Sequence, residues 1–230
     1  MIKLEKTSVM NFENAIRGMR NPLNSWELSD SMLCKGRDGF ENCTVNAVGV
    51  CPRHEDFSHD IFCIGKDDFK LAMKLCKAGS DHRKFMRQIF VSVDVTAPMY
   101  WWKEYDTYKV GTVANSCSTM HTIHKRDLTL ADFSTDHLNT YALDVLDEYI
   151  WDINRFRRSY VEKGDKQDWY SIIQLLPSSY NQMRTCTLSY ENLISMYHAR
   201  KNHKLDEWHT FCEWIESLPY SELITGGKNA

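Results

Sequence analysis

Residues 111–121, GTVANSCSTMH, place Ser116, Ser118 and Thr119 in a small, nearly uncharged stretch. A Gly-led, hydroxyl-rich turn of this kind can aim several backbone N–H groups at one anion. Phosphate suits such a place when a cation stands opposite, and Lys109 lies just upstream. The same hydroxyls can instead satisfy the backbone of their own loop. Directly ahead runs PMYWWKEYDTYK. At helical spacing Trp101, Tyr105 and Tyr108 share one face, which can stack a flat ring or pack into a core. Arg200 closes a helical pattern. It either complements the helix dipole or turns its planar fork on a pyrimidine carbonyl or a carboxylate. His82, Arg83, Lys84 and Arg87 form a basic turn, solvated or reaching a phosphate.

Other chemistry finds less footing. Cys117, between two serines, is a nucleophile only if its thiol pKa is depressed. Cys34, Cys43, Cys51 and Cys63 fall in one irregular region with His54 and His59. They are ordinary thiols or zinc ligands, without a tight Cys-x-x-Cys pair; no metal is expected. The sequence holds no G-x-G-x-x-G after a strand, Walker loop, G-x-S-x-G elbow or H-E-x-x-H. The net charge of −3 lacks the basic excess of a nucleic-acid coat. No apolar run is long enough to span a bilayer. The opening MIKLEKTSVMNF lacks the apolar region of a signal peptide. The expectation is a cytoplasmic protein with reduced thiols, and no membrane or nucleic-acid partner.

The elements that must position these residues follow from periodicity. NFENAIRGMRNP reads as a short helix capped by Asn11 and ended at Asn21-Pro22. Residues 23–63 show little periodicity and read as an irregular insertion. DDFKLAMKLCKAG reads as a helix capped by Asp67 and stopped by Gly79. A second helical turn covers DHRKFMRQ. IFVSVDVTA alternates, with Ile89, Val91, Val93 and Val95 on one face. Pro98 opens the aromatic helix. The longest helix is expected from about Thr135 to Tyr160, its stripe including Leu138, Ala142, Val145, Leu146, Tyr149, Ile153 and Phe156. DWYSIIQLLP reads as a helix broken by Pro177, RTCTLSY as a strand, and ENLISMYHAR and LDEWHTFCEWIESL as helices. Cys76, Cys186 and Cys212 fit these patterns as small buried hydrophobes. Without regular βα alternation, the expected class is α+β, mixed helices on a central antiparallel sheet. Residues 1–225 form a single domain in this reading, and 226–230 a flexible tail.

Two segments, His82 to His121 and Leu176 to about Ile215, together resemble the flavin-dependent thymidylate synthases, the ThyX family, as a distant relative. That family's signature has the form Arg-His-Arg-x-x-Ser-x-Asn-Glu-x-Ser-x-Arg-Tyr. Laid on YKVGTVANSCSTMH, it puts Asn115 on the Asn and Ser118 on the second Ser. Leu176-Pro177 fits a Leu-Pro, Thr187 the Thr of a Thr-x-Asn strand, and Arg200 the Arg closing the next helix. His82 matches a flavin-side His, and Arg17 an early Ala-Ala-Arg. The Arg-His-Arg triplet is replaced by Tyr108-Lys109-Val110, the Glu by Ser116, and the final Arg-Tyr by Met120-His121. Ser189 and Ser195 stand where the family carries asparagines.

The resemblance implies a methyltransferase that binds FAD and a dUMP-type pyrimidine nucleotide and passes a one-carbon unit to C5. NADPH and methylenetetrahydrofolate would serve as co-substrates and a homotetramer as the assembly. It implies substrate contacts from Ser116, Ser118, Thr119, Lys109, Tyr105 and Arg200, with Arg200 also catalytic. It implies cofactor contacts from His82, Tyr108, Lys109, Asn115, Ser189 and Ser195. A nucleotide-binding or sequestering protein that has lost flavin is the other reading.

Overall fold

The computed structural model describes residues 2–34 and 61–226. In chain order the strands and helices are β1 (Lys3–Met10), α1 (Phe12–Met19), β2 (Met32–Cys34), β3 (Ile61–Cys63), α2 (Lys66–Lys77), β4 (Phe90–Pro98) and α3 (Met99–Tyr105). There follow β5 (Val113–Ser116), α4 (Thr119–Thr122), α5 (Thr140–Lys163), α6 (Lys166–Leu175), β6 (Asn181–Ser189), α7 (Tyr190–Arg200), α8 (Asp206–Glu216) and α9 (Glu222–Thr225). The class is α+β as expected, with a four-stranded sheet in the order β1-β4-β6-β5 and a β2-β3 pair. Thr185 Oγ1 donates to Asp94 Oδ1 at 2.6 Å, and Thr187 Oγ1 lies 3.4 Å from Ser92 Oγ. Moving two residues up one strand moves two down the other, the register of an antiparallel pair. Ile89, Val91, Val93 and Val95 are all buried, as their alternation requires. β1 was not foreseen: its exposed Lys and Glu positions hide the alternation.

Two compact units divide the chain: Met1–Lys6 with Val93–Cys186, and Thr7–Ser92 with Thr187–Ala230. In the first, α5 packs on α6. Ile150, Ile153 and Ile172 join Ile123, Leu128 and Phe133 in one apolar cluster, edged by Leu146, Tyr149 and Phe156. α5 begins at Thr140, five residues later than expected, because Asn139 caps it by accepting from the Ala142 N–H at 2.9 Å. Leu138 therefore precedes the helix, and Val145, expected inward, is exposed. The arginines near its C-terminal end do more than complement a dipole. Arg157 Nε and Arg158 Nη2 each donate to Asp127 at 2.6 Å, and Arg157 Nη1 donates to the His124 carbonyl.

The hydrogen bond from Arg158, opposed by partial desolvation and joined by that from Arg157, holds the Asp127 carboxyl below its ordinary range. A depressed folded-state pKa stabilises above the unfolded value, about 3.9, and that contribution is lost as pH falls through the folded value. Asp127→Asn should therefore melt below the wild type near pH 6, and the gap should close as pH drops below about 4. A gap that stays constant across an acid melting series would contradict this assignment.

The second unit is organised around aromatic rings. Phe12 sits edge-on to both Tyr190 and Tyr220. Tyr220 Oη accepts from the Ile64 N–H, and Tyr190 Oη donates to the Pro219 carbonyl at 2.6 Å. Two expected caps differ. Asn11 adopts a left-handed conformation and donates from its amide to the Gln88 carbonyl at 2.8 Å, making no side-chain cap on α1. α2 is capped by Asp30, not Asp67: its carboxylate accepts from the Asp67 and Asp68 N–H groups at 2.9 and 3.0 Å. Gly65, the residue before α2, leaves no room for a side chain, since an added Cβ would lie 2.2 Å from the Asp30 carboxyl carbon. Beneath this cap Arg20 and Asp68, 5% and 0% exposed, pair at 2.5 Å. Ser29 Oγ, Ser31 Oγ and the Ser31 N–H complete the shell of Asp68 Oδ2.

Cys186 and Cys212 are buried as expected, while Cys76 is half-buried. Cys43, Cys51, His54 and His59 lie outside the described residues, as do 227–230 of the expected tail. Among the described residues no cluster of three or more metal-ligating side chains forms. No described helix is long and apolar enough to cross a membrane.

Candidate functional site

A cleft of about 490 Å³ opens in the first unit. α3 supplies Met99 and Lys103, one helical turn apart and so on one face, while Trp101, Trp102 and Tyr105 turn into the core. The end of β5 and the start of α4 supply Ser116, Cys117, Ser118, Thr119 and Met120. The break after α6 supplies Leu176, Pro177 and Ser178, and β6 supplies Gln182. Pro177 ends the helix because its missing N–H and ring forbid another turn. The chain beyond it docks on α3: Met99 N–H donates to the Tyr180 carbonyl and Tyr100 N–H to the Ser178 carbonyl, each at 3.0 Å.

The stretch expected as an anion-cradling turn is built differently. Val113–Ser116 is a strand at the edge of the sheet, so its amides do not curl around one point. Beyond it, Ser118 Oγ accepts from the His121 N–H at 3.4 Å, and Thr122 Oγ1 donates to the Ser118 carbonyl at 2.6 Å. The hydroxyls of Ser116, Ser118 and Thr119 nonetheless line the same cleft. Among the described residues Lys103 is the one charged side chain in that lining. It is exposed and forms no ion pair among the described residues. Met99, Met120, Ile173 and Leu176 give the lining its apolar part. A lone cation, several hydroxyls and an apolar wall suit a ligand with an anionic head and a flat, apolar body.

Under the cleft floor lies a polar strut. Gln182 Nε2 donates to the Cys117 carbonyl at 3.0 Å and to Thr119 Oγ1 at 3.4 Å. Its Oε1 accepts from Arg184 Nε at 2.9 Å. Arg184 Nη1 donates to Asp106 at 3.0 Å, and the guanidinium covers the Trp102 ring at 4.1 Å. Trp102 Nε1 closes the circuit by donating to the Gln182 carbonyl at 2.9 Å.

The other expected site residues are not part of this lining. Tyr105 is 3% exposed, stacked on Trp101 and edge-on to Trp102. Burial, with Cys186 beside it, drives its phenol pKa far upward. It is a core residue, and its ring has no surface to offer a substrate. Lys109 and Asn115 are exposed and Tyr108 half-buried, all three outside the cleft lining. In the second unit His82 and Ser195 are exposed. The neighbouring Arg83 makes a two-pronged pair with Glu191 at 2.9 and 3.1 Å, which ties the basic turn to α7. Ser189 is 6% exposed and caps α7 in a reciprocal pair with Asn192, so its hydroxyl is engaged. Arg200 holds its guanidinium 4.8 Å above the buried Trp208 ring.

Lys103, Gln182 and Arg184 were not foreseen as site residues. Lys103 was hidden among the rings of an aromatic helix. Gln182 fell before the expected start of its strand, although Gln182 and Arg184 share one side of β6 by simple alternation.

No protein-family model and no curated protein matches the chain. Solved structures do. A crystal structure of thymidylate synthase X from Helicobacter pylori with FAD and dUMP aligns at a TM-score of 0.64 and 13% identity, covering 100% of both chains. A second structure of the flavin-dependent enzyme from the same organism, complexed with FAD and dUMP, aligns at 0.62 and 13%, covering 96% of each. The chain therefore has the ThyX fold over its whole length.

Proposed function

We propose that this chain is a flavin-dependent thymidylate synthase-like protein that binds a dUMP-type pyrimidine nucleotide and transfers a one-carbon unit to C5. One observation carries the reading. Ser118, the residue that the ThyX signature places at a nucleotide phosphate, lines a cleft with Ser116, Thr119 and Lys103. It does so in a fold whose solved relatives hold FAD and dUMP.

In this reading the three hydroxyls and Lys103 take the phosphate, a charge-assisted contact. Met99, Met120 and Leu176 cover the sugar and base. Arg200, whose guanidinium stands over Trp208, is the residue that the family likeness would assign to polarising the pyrimidine, the electrostatic part of catalysis. His82, Tyr108, Lys109, Asn115 and Ser195 are the residues that the family likeness would assign to FAD. Bound FAD would supply the reducing electrons, with NADPH and methylenetetrahydrofolate as co-substrates, in a homotetramer.

A second reading, a nucleotide-binding protein without flavin, draws on Ser189, whose hydroxyl is buried in a helix cap. The two part company in a simple experiment. The first predicts a yellow protein, or one that keeps added FAD after the free flavin is removed, and a higher melting temperature with dUMP. The second predicts the dUMP shift and no flavin carried by the protein once free FAD is removed. A melting temperature indifferent to dUMP defeats both.

A further inference from the structure

We propose that Arg184 is a positioning residue for the nucleotide cleft, acting through Gln182 on the backbone and hydroxyls of residues 117–119. The proposal rests on the reading of the cleft as a phosphate site. Its structural part is testable without any ligand.

The β5–α4 junction is an exposed edge segment. Its attachments to β6 include the Cys117 N–H donating to the Met183 carbonyl at 2.9 Å and the amide of Gln182. A glutamine amide can turn either its oxygen or its nitrogen to a neighbour, and its partners decide which. Arg184 Nε, a donor only, fixes Oε1 toward itself, which leaves Nε2 to face the Cys117 carbonyl and Thr119 Oγ1. Arg184 is in turn unable to swing. Asp106 holds one arm, the Trp102 ring covers the guanidinium face, and the side chain is 12% exposed. The order of control runs from Asp106 and Trp102 to Arg184, then to Gln182, then to the segment that lines the cleft.

Because Gln182 donates to Thr119 Oγ1, that hydroxyl's own proton must point elsewhere, and the open side is the cleft. The strut thus sets the polarity of Thr119 as well as its place. A lysine at position 184 carries the charge but lacks the planar fork that addresses Gln182 and Asp106 at once.

The Cys117 N–H reports on this segment, since it donates to the Met183 carbonyl at 2.9 Å. Gln182→Met deletes the donor to residues 117–119 without placing a charge in the cleft lining. Arg184→Met deletes the anchor, and Arg184→Lys should not restore it. Amide hydrogen exchange of the peptide that carries Cys117 should proceed about tenfold faster in Gln182→Met and Arg184→Met, with the peptides of α5 unmoved. The dUMP dissociation constant should rise about tenfold in the same variants.

Unchanged exchange at the Cys117 amide in folded Gln182→Met overturns the strut. Faster exchange with unchanged dUMP affinity overturns its link to the site. If the wild type binds no dUMP, the phosphate reading and this link fail together, while the exchange rates still decide whether Arg184 holds the segment.

Discussion

Replacing Asp68 by alanine should destabilise the protein by about 3–5 kcal/mol, the largest loss expected from any single substitution considered. Arg20, 5% exposed, would keep its charge and lose its carboxylate. Ser29 Oγ, Ser31 Oγ and the Ser31 N–H would lose their shared acceptor at the same time. For a chain of this size that loss lowers the melting temperature by roughly 10 °C. Asp68→Asn, which retains an acceptor oxygen, should fall between the two. Removing both charges, Arg20→Met with Asp68→Leu, should cost less than Asp68→Ala alone, because the penalty lies in the stranded cation. Urea unfolding of the three variants checks the order. Asp68→Ala as stable as the wild type would mean that the buried pair is not what fastens residues 29–31 to α2.

Lys103→Glu should weaken dUMP binding on the order of 100-fold, with little change in melting temperature. The reason is one of charge count. Among the described residues Lys103 is the only ionic group lining the cleft, so its reversal turns an attraction for phosphate into a repulsion at the same place. Its side chain is exposed and outside any described ion pair, so the fold loses little. Lys103→Met should give an intermediate affinity. Lys109→Glu, outside the lining, should be far milder. Isothermal titration with dUMP measures all three, and a Lys103→Glu protein that binds dUMP like the wild type would remove Lys103 from the phosphate site.

What the sequence revealed and what it hid divide along physical lines. Local patterns read well. The alternation of Ile89, Val91, Val93 and Val95 and the stripe through Leu146, Tyr149, Ile153 and Phe156 are properties of one element, and both appear in the core. Hydroxyls at 116, 118 and 119 line one cleft, on a strand end and not in the curled turn that their spacing suggested. Long-range partnerships were opaque. Asp30 caps a helix that begins after residues 35–60 have intervened, and nothing near Asp67 announces it. Arg20 and Asp68 each look like surface charges until the fold brings them together. Tyr105 shows the converse failure. A ring on an amphipathic face looks the same whether it meets a ligand or Trp101 and Trp102, and only burial tells which.

In the proposed function the cleft between α3 and the β5–α4 junction recognises the phosphate of a pyrimidine nucleotide. Calorimetry of dUMP against deoxyuridine on the wild-type chain tests this. dUMP should bind at least about 100-fold more tightly, since deoxyuridine keeps the base and forfeits every contact to Lys103, Ser116, Ser118 and Thr119. Equal affinity for the two, or no binding of either, would contradict it.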